Sequence, residues 1–385
     1  MRLKKKVFVH LESSRGYGRE LLKGIYEYNN RVNNWEIIFE PAYYLQSGII
    51  KNNIRIIKAM KPNGCIIENQ ENIGELVKMG IPVVQTTSIN RSCSVPCIKG
   101  NYEEDGKMAF MHFMNLGFRN LGFFGVDFIN FSKFRYESFK HQADQHHVPV
   151  FAHRLAANNK HYRYQNNFKR TIDWLRSLPK PIGILACNDD FGQTLINACS
   201  LAGVKVPYEV AVLGVDNDEL LCNLTVPNLS SIARNLTQAS SEICKLLDQM
   251  MNGINVTRDF IQTNPTEIIV RQSTDTIACD DLEVVKAIIF IRENTHRQVT
   301  VDDVVKATTI SRRSLYGRFE AVTGHSINSE IQQRKLHKFK KLLKEKKLSI
   351  KEIAYEVGFD DVAHVSRWFS SLESLSPTEW KLRNA

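Results

Sequence analysis

The residues of this chain that could do chemistry fall into two sets, and neither looks catalytic. In the first, polar residues stand directly after short apolar runs: Glu12 to Tyr17, Thr86-Thr87, Asn101, Asp127, Asn188-Asp189 and Asp216-Asn217. Carboxylates, amides and hydroxyls gathered at the ends of such runs could hydrogen-bond a small polar molecule. In the second set, near the carboxyl end, Arg312, Arg313, Tyr316 and Arg318 lie outside a helical stripe whose inward residues are Leu315 and Phe319. Guanidinium and phenol groups on an exposed helix face suit phosphates and base edges. Bond-making chemistry has no foothold, because the chain contains no Gly-x-x-x-x-Gly-Lys-Ser/Thr, no His-Glu-x-x-His and no Gly-x-Ser-x-Gly. Of eight scattered cysteines only Cys93 and Cys97 are close, with no partners at zinc spacing. A non-enzyme with no cofactor and no metal is expected.

The elements that must position the first set are legible from rhythm. Apolar runs recur at Val7-Phe8-Val9, Gly64 to Ile67, Pro82-Val83-Val84, Leu121 to Phe124, Ile182 to Leu185 and Val210 to Leu213. Amphipathic stretches separate them, for example 19–28, 105–114, 162–177 and 193–202. Strands alternating with helices imply parallel sheets covered on both faces, with ligands beyond the carboxyl ends of the strands.

The second set sits in a helix-turn-helix pattern that occurs twice. In the better copy Ile350, Ile353, Ala354 and Val357 fall at i, i+3, i+4 and i+7, on one helical face. Ser349 and Glu352 form a capping box, and Gly358 follows the last periodic residue as a C-cap. A second helix then carries Val365 and Phe369 inward. The earlier copy opens on Thr300 to Asp303, has Val301, Val304 and Val305 as its stripe, and resumes after an N-cap at Ser311. Between the copies a long helix over 331–347 has Leu336, Phe339, Leu342 and Leu343 on one side. Its other side carries Arg334, Lys335, Lys338, Lys340, Lys341, Lys344, Lys346 and Lys347, read first as a solvated face. Ser376-Pro377-Thr378-Glu379 starts a last helix.

The two-copy order, with Ile353-Ala354, Gly358-Phe359, Ser366-Arg367, Phe369 and Ser376-Pro377, resembles the DNA-binding domain of the AraC/XylS family over 281–385. That resemblance implies seven helices and a rigid connecting helix. It assigns base reading to Arg313 and Tyr316 in the first copy, and to Val362, Ala363, Ser366 and Arg367 in the second. The chain departs from the family at three places. Gly317 replaces a residue that often reads a base, Ala363-His364-Val365 replaces Ser-Tyr-Phe, and Ser374 stands where glycine is usual. Arg318 and Arg367 could instead pair within the domain.

Upstream, Tyr17 to Ile25, Arg135-x-x-x-Phe139, Asn188-Asp189 with Gly192, Gly203-Val204-x-Val206-Pro207 and Gly214-Val215-Asp216 together resemble the ligand-binding domain of the LacI/GalR family. The resemblance implies two lobes closing on a sugar, with Arg135, Asp189 and Asp216 as its contacts. Ionised carboxylates and a guanidinium would give a ring of hydroxyls charge-assisted hydrogen bonds. Glu12, Tyr17 and Asn101 complete the expected ligand set, Asn101 standing where an aspartate is more usual, and Phe131 could stack on a sugar face. Asp216 could alternatively cap a turn, and Arg135 could pair with Glu137 or another surface acid.

The expected architecture is an α/β two-lobed periplasmic-binding-protein-like domain with parallel sheets over 1–272, a linker over 273–280, and an all-α AraC-type domain with two helix-turn-helix units over 281–385. The chain carries net +10, and 281–385 hold 19 Lys+Arg against 14 Asp+Glu, so half the excess lies in about a quarter of the length. Such a domain attracts phosphates in a salt-dependent way. The apolar stretch after Met1 to Lys6 is too short for a signal-peptide core, and no run reaches membrane-spanning length. A reduced, cytoplasmic chain is expected.

Its expected partners are double-stranded promoter DNA, a monosaccharide effector of the pentose class with xylose foremost, RNA polymerase if it activates, and a second copy in a homodimer, with no membrane. The expectation is a sugar-dependent activator of sugar catabolism genes. Rival readings are a sugar-responsive repressor, a sugar-binding protein, which leaves 281–385 unexplained, and a sugar-modifying enzyme, which lacks a nucleophile, phosphate loop or metal set.

Overall fold

In the computed structural model, residues 4–41, 54, 57–68, 73–86, 94–155, 164–257, 259–344, 348–359 and 362–383 are described. The chain divides into two compact units, Met1–Thr276 and Ile277–Ala385.

The first unit has two six-stranded sheets. Their strands, in chain order, are β1 (Lys5–Leu11), β2 (Trp35–Pro41), β3 (Gly64–Ile67), β4 (Val83–Gln85), β5 (Cys97–Gly100), β6 (Leu121–Val126), β7 (Val150–Leu155), β8 (Ile182–Ala186), β9 (Val210–Val215), β10 (Ser230–Arg234), β11 (Phe260–Thr263) and β12 (Pro265–Ile269). One sheet runs β11-β5-β4-β3-β1-β2 and the other β12-β10-β9-β8-β6-β7. All pairings are parallel except β10 with β12. Helices cover both faces, so β6 and β9 are buried at every position and read as unbroken apolar runs rather than alternating ones. The expected helices are present: Gly16–Val32, Tyr102–Asn115 and Asp189–Ala202 are longer than their periodic cores, and Tyr164–Ser177 lies within the stretch expected over 162–177.

The chain crosses between the lobes three times, after β5, after β10, and between β11 and β12. Three asparagines tie these crossings together. The Asn101 N–H donates to the Thr263 carbonyl (2.8 Å) and the Asn235 N–H to that of Asn264 (3.2 Å). Asn101 Nδ2 reaches Asn264 Oδ1 at 2.9 Å, and the Asn264 N–H reaches Asn235 Oδ1 at 2.7 Å.

Two expectations shift here. Ser273 and Thr274, placed in a linker from sequence, are fully buried in the first unit, where the Ser273 hydroxyl donates to the Val212 carbonyl at 2.6 Å. Cys65, Cys187, Cys199, Cys222 and Cys244 are buried free thiols, but Cys97 is disulfide-bonded, against the expectation of a fully reduced chain. Among the described residues no helix is long and apolar enough to cross a membrane.

The second unit is all helical: Leu282–Glu293, Val301–Lys306, Arg312–Thr323, Ile327–Lys344, Ile350–Glu356, Val362–Glu373 and Pro377–Arg383. Both capping boxes form, Thr300 with Asp303 and Ser349 with Glu352. Ser376 and Glu379 exchange the same reciprocal bonds. The connecting helix Ile327–Lys344 buries Phe339 and Leu343 against Ile353, Val357, Val365, Phe369 and Trp380, which locks the second helix pair to it. Its lysine side is less solvated than expected. Lys335 is buried with Nζ 4.3 Å from the Phe359 ring centre, Lys338 donates to the Glu356 carbonyl (2.8 Å), and Lys340 pairs with Glu373 (2.6 Å).

Ser374, which replaces the family's glycine, has φ 56°, in the left-handed region. An L side chain there is disfavoured by about 1–2 kcal/mol. Ser374→Gly is therefore expected to raise the melting temperature of the second unit, by about 1 kcal/mol of stability, in a calorimetric scan.

Candidate functional site

The site in the first unit is a small cavity of about 140 Å³ between the lobes. That is below the roughly 300–1,000 Å³ of pockets for drug-sized ligands and suits a single small polar ring. One lobe supplies Glu12, Arg15, Tyr17 and Glu68, the other Phe131, Arg135, Asn188 and Asp216, and the crossings add Tyr102, Arg234 and Thr263.

Arg135 organises it from the helix Asn130–Gln145. Its side chain is almost fully buried. Nε donates to Asp105 Oδ2 at 2.9 Å, Nη1 to the Cys187 carbonyl at 2.5 Å and Nη2 to Asp216 Oδ1 at 3.1 Å. Burial pulls its pKa down, but Asp216 and Asp105 outweigh burial and raise it. Arg234 engages the other side of Asp105 and donates to the Thr263 carbonyl at 2.8 Å. Phe131 and Tyr102 lie against the Arg135 guanidinium, with ring centres 5.4 and 5.7 Å away. Arg135 thus pairs with buried Asp105 and with Asp216 rather than with Glu137, which lies 3.8 Å from Lys133.

Asp216 sits in a strained turn, with φ 98° at Asp216 and 49° at Asn217. Such a turn persists only where its surroundings over-determine it. Here Asn217 donates its N–H to Ser231 Oγ (3.0 Å) and accepts from Arg271 at its side-chain oxygen (2.9 Å). On the facing lobe Glu12 donates its N–H to Glu68 Oε2 at 2.7 Å, and burial raises the Glu68 pKa. The Tyr17 hydroxyl donates to the Thr86 carbonyl at 3.3 Å. Among the described residues no group of His, Cys, Asp and Glu could hold a metal ion.

Of the six residues expected to contact a ligand, Glu12, Tyr17, Arg135 and Asp216 line the cavity, whereas Asp189 and Asn101 do not. Asp189 lies behind the wall, accepting from Ser231 Oγ (2.6 Å) and from the Asp218 N–H (2.7 Å). Asn101 belongs to the crossing and caps the helix Tyr102–Asn115 through the Glu104 N–H. Both follow strands, but Asn101 is engaged in the crossing and Asp189 is bonded inward to Ser231 and Asp218. Glu68 was missed although it follows the run Gly64–Ile67, so the strand-end rule reaches it. Asp105 and Arg234 had no such signal.

Burial, then the Asp216 charge, push the Asp189 pKa up to about 8, against the bonds from Ser231 and Asp218. A carboxyl whose folded pKa exceeds its unfolded value makes stability fall as pH rises between the two, by at most one proton's worth, about 1.4 kcal/mol per pH unit. First-unit stability should therefore decline from pH 4 to pH 8, and Asp189→Asn should flatten that slope in urea titrations. An unchanged slope would show that Asp189 stays ionised.

The candidate nucleic-acid surface lies on Arg312–Thr323 and Val362–Glu373. Arg313 is exposed, Tyr316 half-buried, Arg367 exposed and Ser366 half-buried. Arg312 pairs with Asp302 at 2.8 Å, both side chains well exposed, and its guanidinium lies 5.6 Å from the Tyr316 ring centre. An exposed pair of this kind is weak and can exchange for a phosphate. Arg318 differs. Its fork grips Asp281, Nε at 2.5 Å and Nη2 at 2.6 Å, while Asp281 caps the helix Leu282–Glu293. The Nε/Nη2 edge of Arg318 is thus engaged within the unit, as the intradomain alternative has it, and its outer Nη1/Nη2 edge is what a phosphate would have to use. Gly317 is exposed and a Cβ there would meet nothing, so its reading position is empty space. Val362 and Ala363 begin the last recognition helix, and their side chains lie outside the described residues.

Residues 110–274 match the family model for a periplasmic binding protein-like domain, and residues 304–383 a helix-turn-helix domain. This chain joins a periplasmic binding protein-like domain to a helix-turn-helix domain. It is similar to the xylose operon regulatory protein of Escherichia coli (strain K12), 31% identical over 218 residues that cover 57% of this chain and 56% of that protein. The corresponding protein of Haemophilus influenzae (strain ATCC 51907 / DSM 11121 / KW20 / Rd) is 29% identical over 241 residues, covering 62% of this chain and 61% of that one. The matched stretch thus spans less than two thirds of either relative. A solved structure described as the xylose-binding transcription activator xylR superposes with a TM-score of 0.79 over 99% of both chains at 24% identity, which establishes the shared fold.

Proposed function

We propose that this protein is a sugar-responsive, DNA-binding transcription regulator that activates sugar catabolism genes in response to a pentose, with xylose the foremost candidate. The observation that carries this reading is one chain holding both a monosaccharide-sized cavity walled by Arg135, Asp216, Glu12 and Arg234 and a doubled helix-turn-helix. Hydroxyls of a sugar would compete for Asp216 and Glu12, whose oxygens are positioned but not saturated. The regulators to which the chain is similar are named for the xylose operon, which favours a pentose over a hexose.

In this reading the sugar favours the closed lobes, with a coupling of about 1–3 kcal/mol to DNA binding. The two recognition helices would enter successive major grooves, roughly 34 Å apart. A homodimer would span two half-sites, and activation would require contact with RNA polymerase. Footprinting with the purified chain tests the core of it. Protection that strengthens or shifts with D-xylose is expected, and protection indifferent to every pentose and hexose would remove the inducer.

A further inference from the structure

The helix Gly16–Val32 has no cap of its own: Arg15 makes no side-chain capping bond and the first turn carries no acid. Its cap comes from the other lobe. Asp218 Oδ2 accepts from the Gly16 N–H at 2.8 Å and from Arg19 Nη2 at 2.7 Å. A carboxylate at an otherwise uncapped helix N-terminus, reinforced by a guanidinium, is favourable on two counts. Arg15 and Asp190 add a looser, exposed contact at 3.4 Å across the same gap.

Asp218 is held from behind. Its own N–H donates to buried Asp189 at 2.7 Å, and its Oδ1 caps the helix Glu219–Leu224 through the Leu221 N–H at 3.3 Å. It stands two residues after Asp216, in the strained turn pinned by Ser231 and Arg271. Asp216 faces the cavity and Asp218 does not line it. The approach is tight: the three nearest atoms that a Cβ at Gly16 would meet all belong to Asp218, from 2.6 Å.

We propose that Asp218 is an interlobe latch, a positioning residue that sets ligand affinity by capping the opposite lobe's helix on closure, without touching the ligand. The inference rests on the sugar-cleft reading above. One rigid turn then carries both functions, Asp216 meeting the ligand and Asp218 meeting the far lobe, so that closure and ligand contact are registered together. Only a closed fraction binds tightly, so losing the latch weakens apparent affinity in proportion to that fraction.

The test uses the full chain, D-xylose as probe, and three variants. Asp218→Asn keeps an acceptor for the Leu221 N–H, Arg19→Ala removes the partner from the far lobe, and Gly16→Ala wedges the gap without altering charge. Each is expected to weaken D-xylose binding about tenfold, mainly through a faster off-rate, with the ligand-free melting temperature of Arg19→Ala unchanged. The Arg19→Ala/Asp218→Asn double variant should lose no more than the worse single one. Affinities within twofold of wild type, or additive losses in the double variant, would overturn the latch. Hydrogen exchange of residues 13–24 in the ligand-free chain gives a sugar-independent readout. Faster exchange in Asp218→Asn supports the latch and unchanged exchange overturns it, whereas a wild-type chain that binds no sugar overturns the cleft reading instead.

Discussion

Arg135→Ala is expected to lower the stability of the first unit by about 3–5 kcal/mol and to abolish sugar binding. Its guanidinium is buried between two carboxylates, Asp105 at 2.9 Å and Asp216 at 3.1 Å. Removing one partner of a buried ion pair leaves the other charge without compensation, which is the expensive way to break it. The two aspartates are not left equally exposed to that penalty. Arg234 still neutralises Asp105, so the loss falls on Asp216 and on the Cys187 carbonyl. Arg135→Lys should recover only part, because an ammonium cannot reach both aspartates and the carbonyl as a planar fork does. Calorimetry should show the first unit's transition falling by about 10 °C, given roughly 2–4 °C per kcal/mol for a unit of this size. The second unit's transition should not move. A loss under 1 kcal/mol would mean that the network is organised for the ligand and contributes little to folding.

This network also marks where sequence reasoning reached and where it stopped. The positions of β1, β3, β4, β6, β8 and β9 were legible because buried parallel strands are uninterrupted apolar runs, whereas β2, β5, β7, β10, β11 and β12 were not among the runs read. Helix ends were legible because caps are local chemistry: Thr300 with Asp303 and Ser349 with Glu352 pair three residues apart. Arg135 and Asp216 were legible through family resemblance and the strand-end rule. Asp105 and Arg234 were not. They lie 129 positions apart and meet only because the chain crosses between lobes three times. Asn101 and Asp189 followed the same strand-end rule yet serve the crossing and the wall, since the rule gives a location along the strand and not a direction. In the second unit the exposed arginines looked alike in periodicity. Only the packing of Arg312–Thr323 against the cap of Leu282–Glu293 separates Arg318, which holds Asp281, from Arg313, which faces outward.

Gly358→Ala is expected to be the most damaging single substitution in the second unit, and Gly324 supplies its control. Gly324 is the C-cap of Arg312–Thr323. The C-cap of Ile350–Glu356 is Val357, one residue before the position expected from sequence, and Gly358 follows it. Both glycines are in the left-handed region, with φ 73° at Gly358 and 74° at Gly324. Backbone conformation alone therefore predicts the same penalty for alanine at either position, about 1–2 kcal/mol. Their surroundings differ. A Cβ at Gly324 meets nothing within 4 Å, whereas one at Gly358 would lie 2.3 Å from the Arg297 carbonyl carbon, inside any permissible contact. Backbone cannot swing aside as a side chain can, so the turn or the segment before Val301–Lys306 must move. Val357 and Phe359 flank Gly358 and are packed with Phe339 and Trp380, so any shift of the turn is passed into that core. We expect Gly324→Ala to cost about 1 kcal/mol and leave DNA affinity within threefold. Gly358→Ala should cost at least about 3 kcal/mol, in the range of core overpacking added to backbone strain, and weaken promoter binding more than a hundredfold. Sugar binding should survive in both, because the first unit folds around its own cores. Equal losses at the two glycines would show that the close approach of Gly358 to Arg297 contributes nothing, and that the two helix-turn-helix copies are held together by the connecting helix alone.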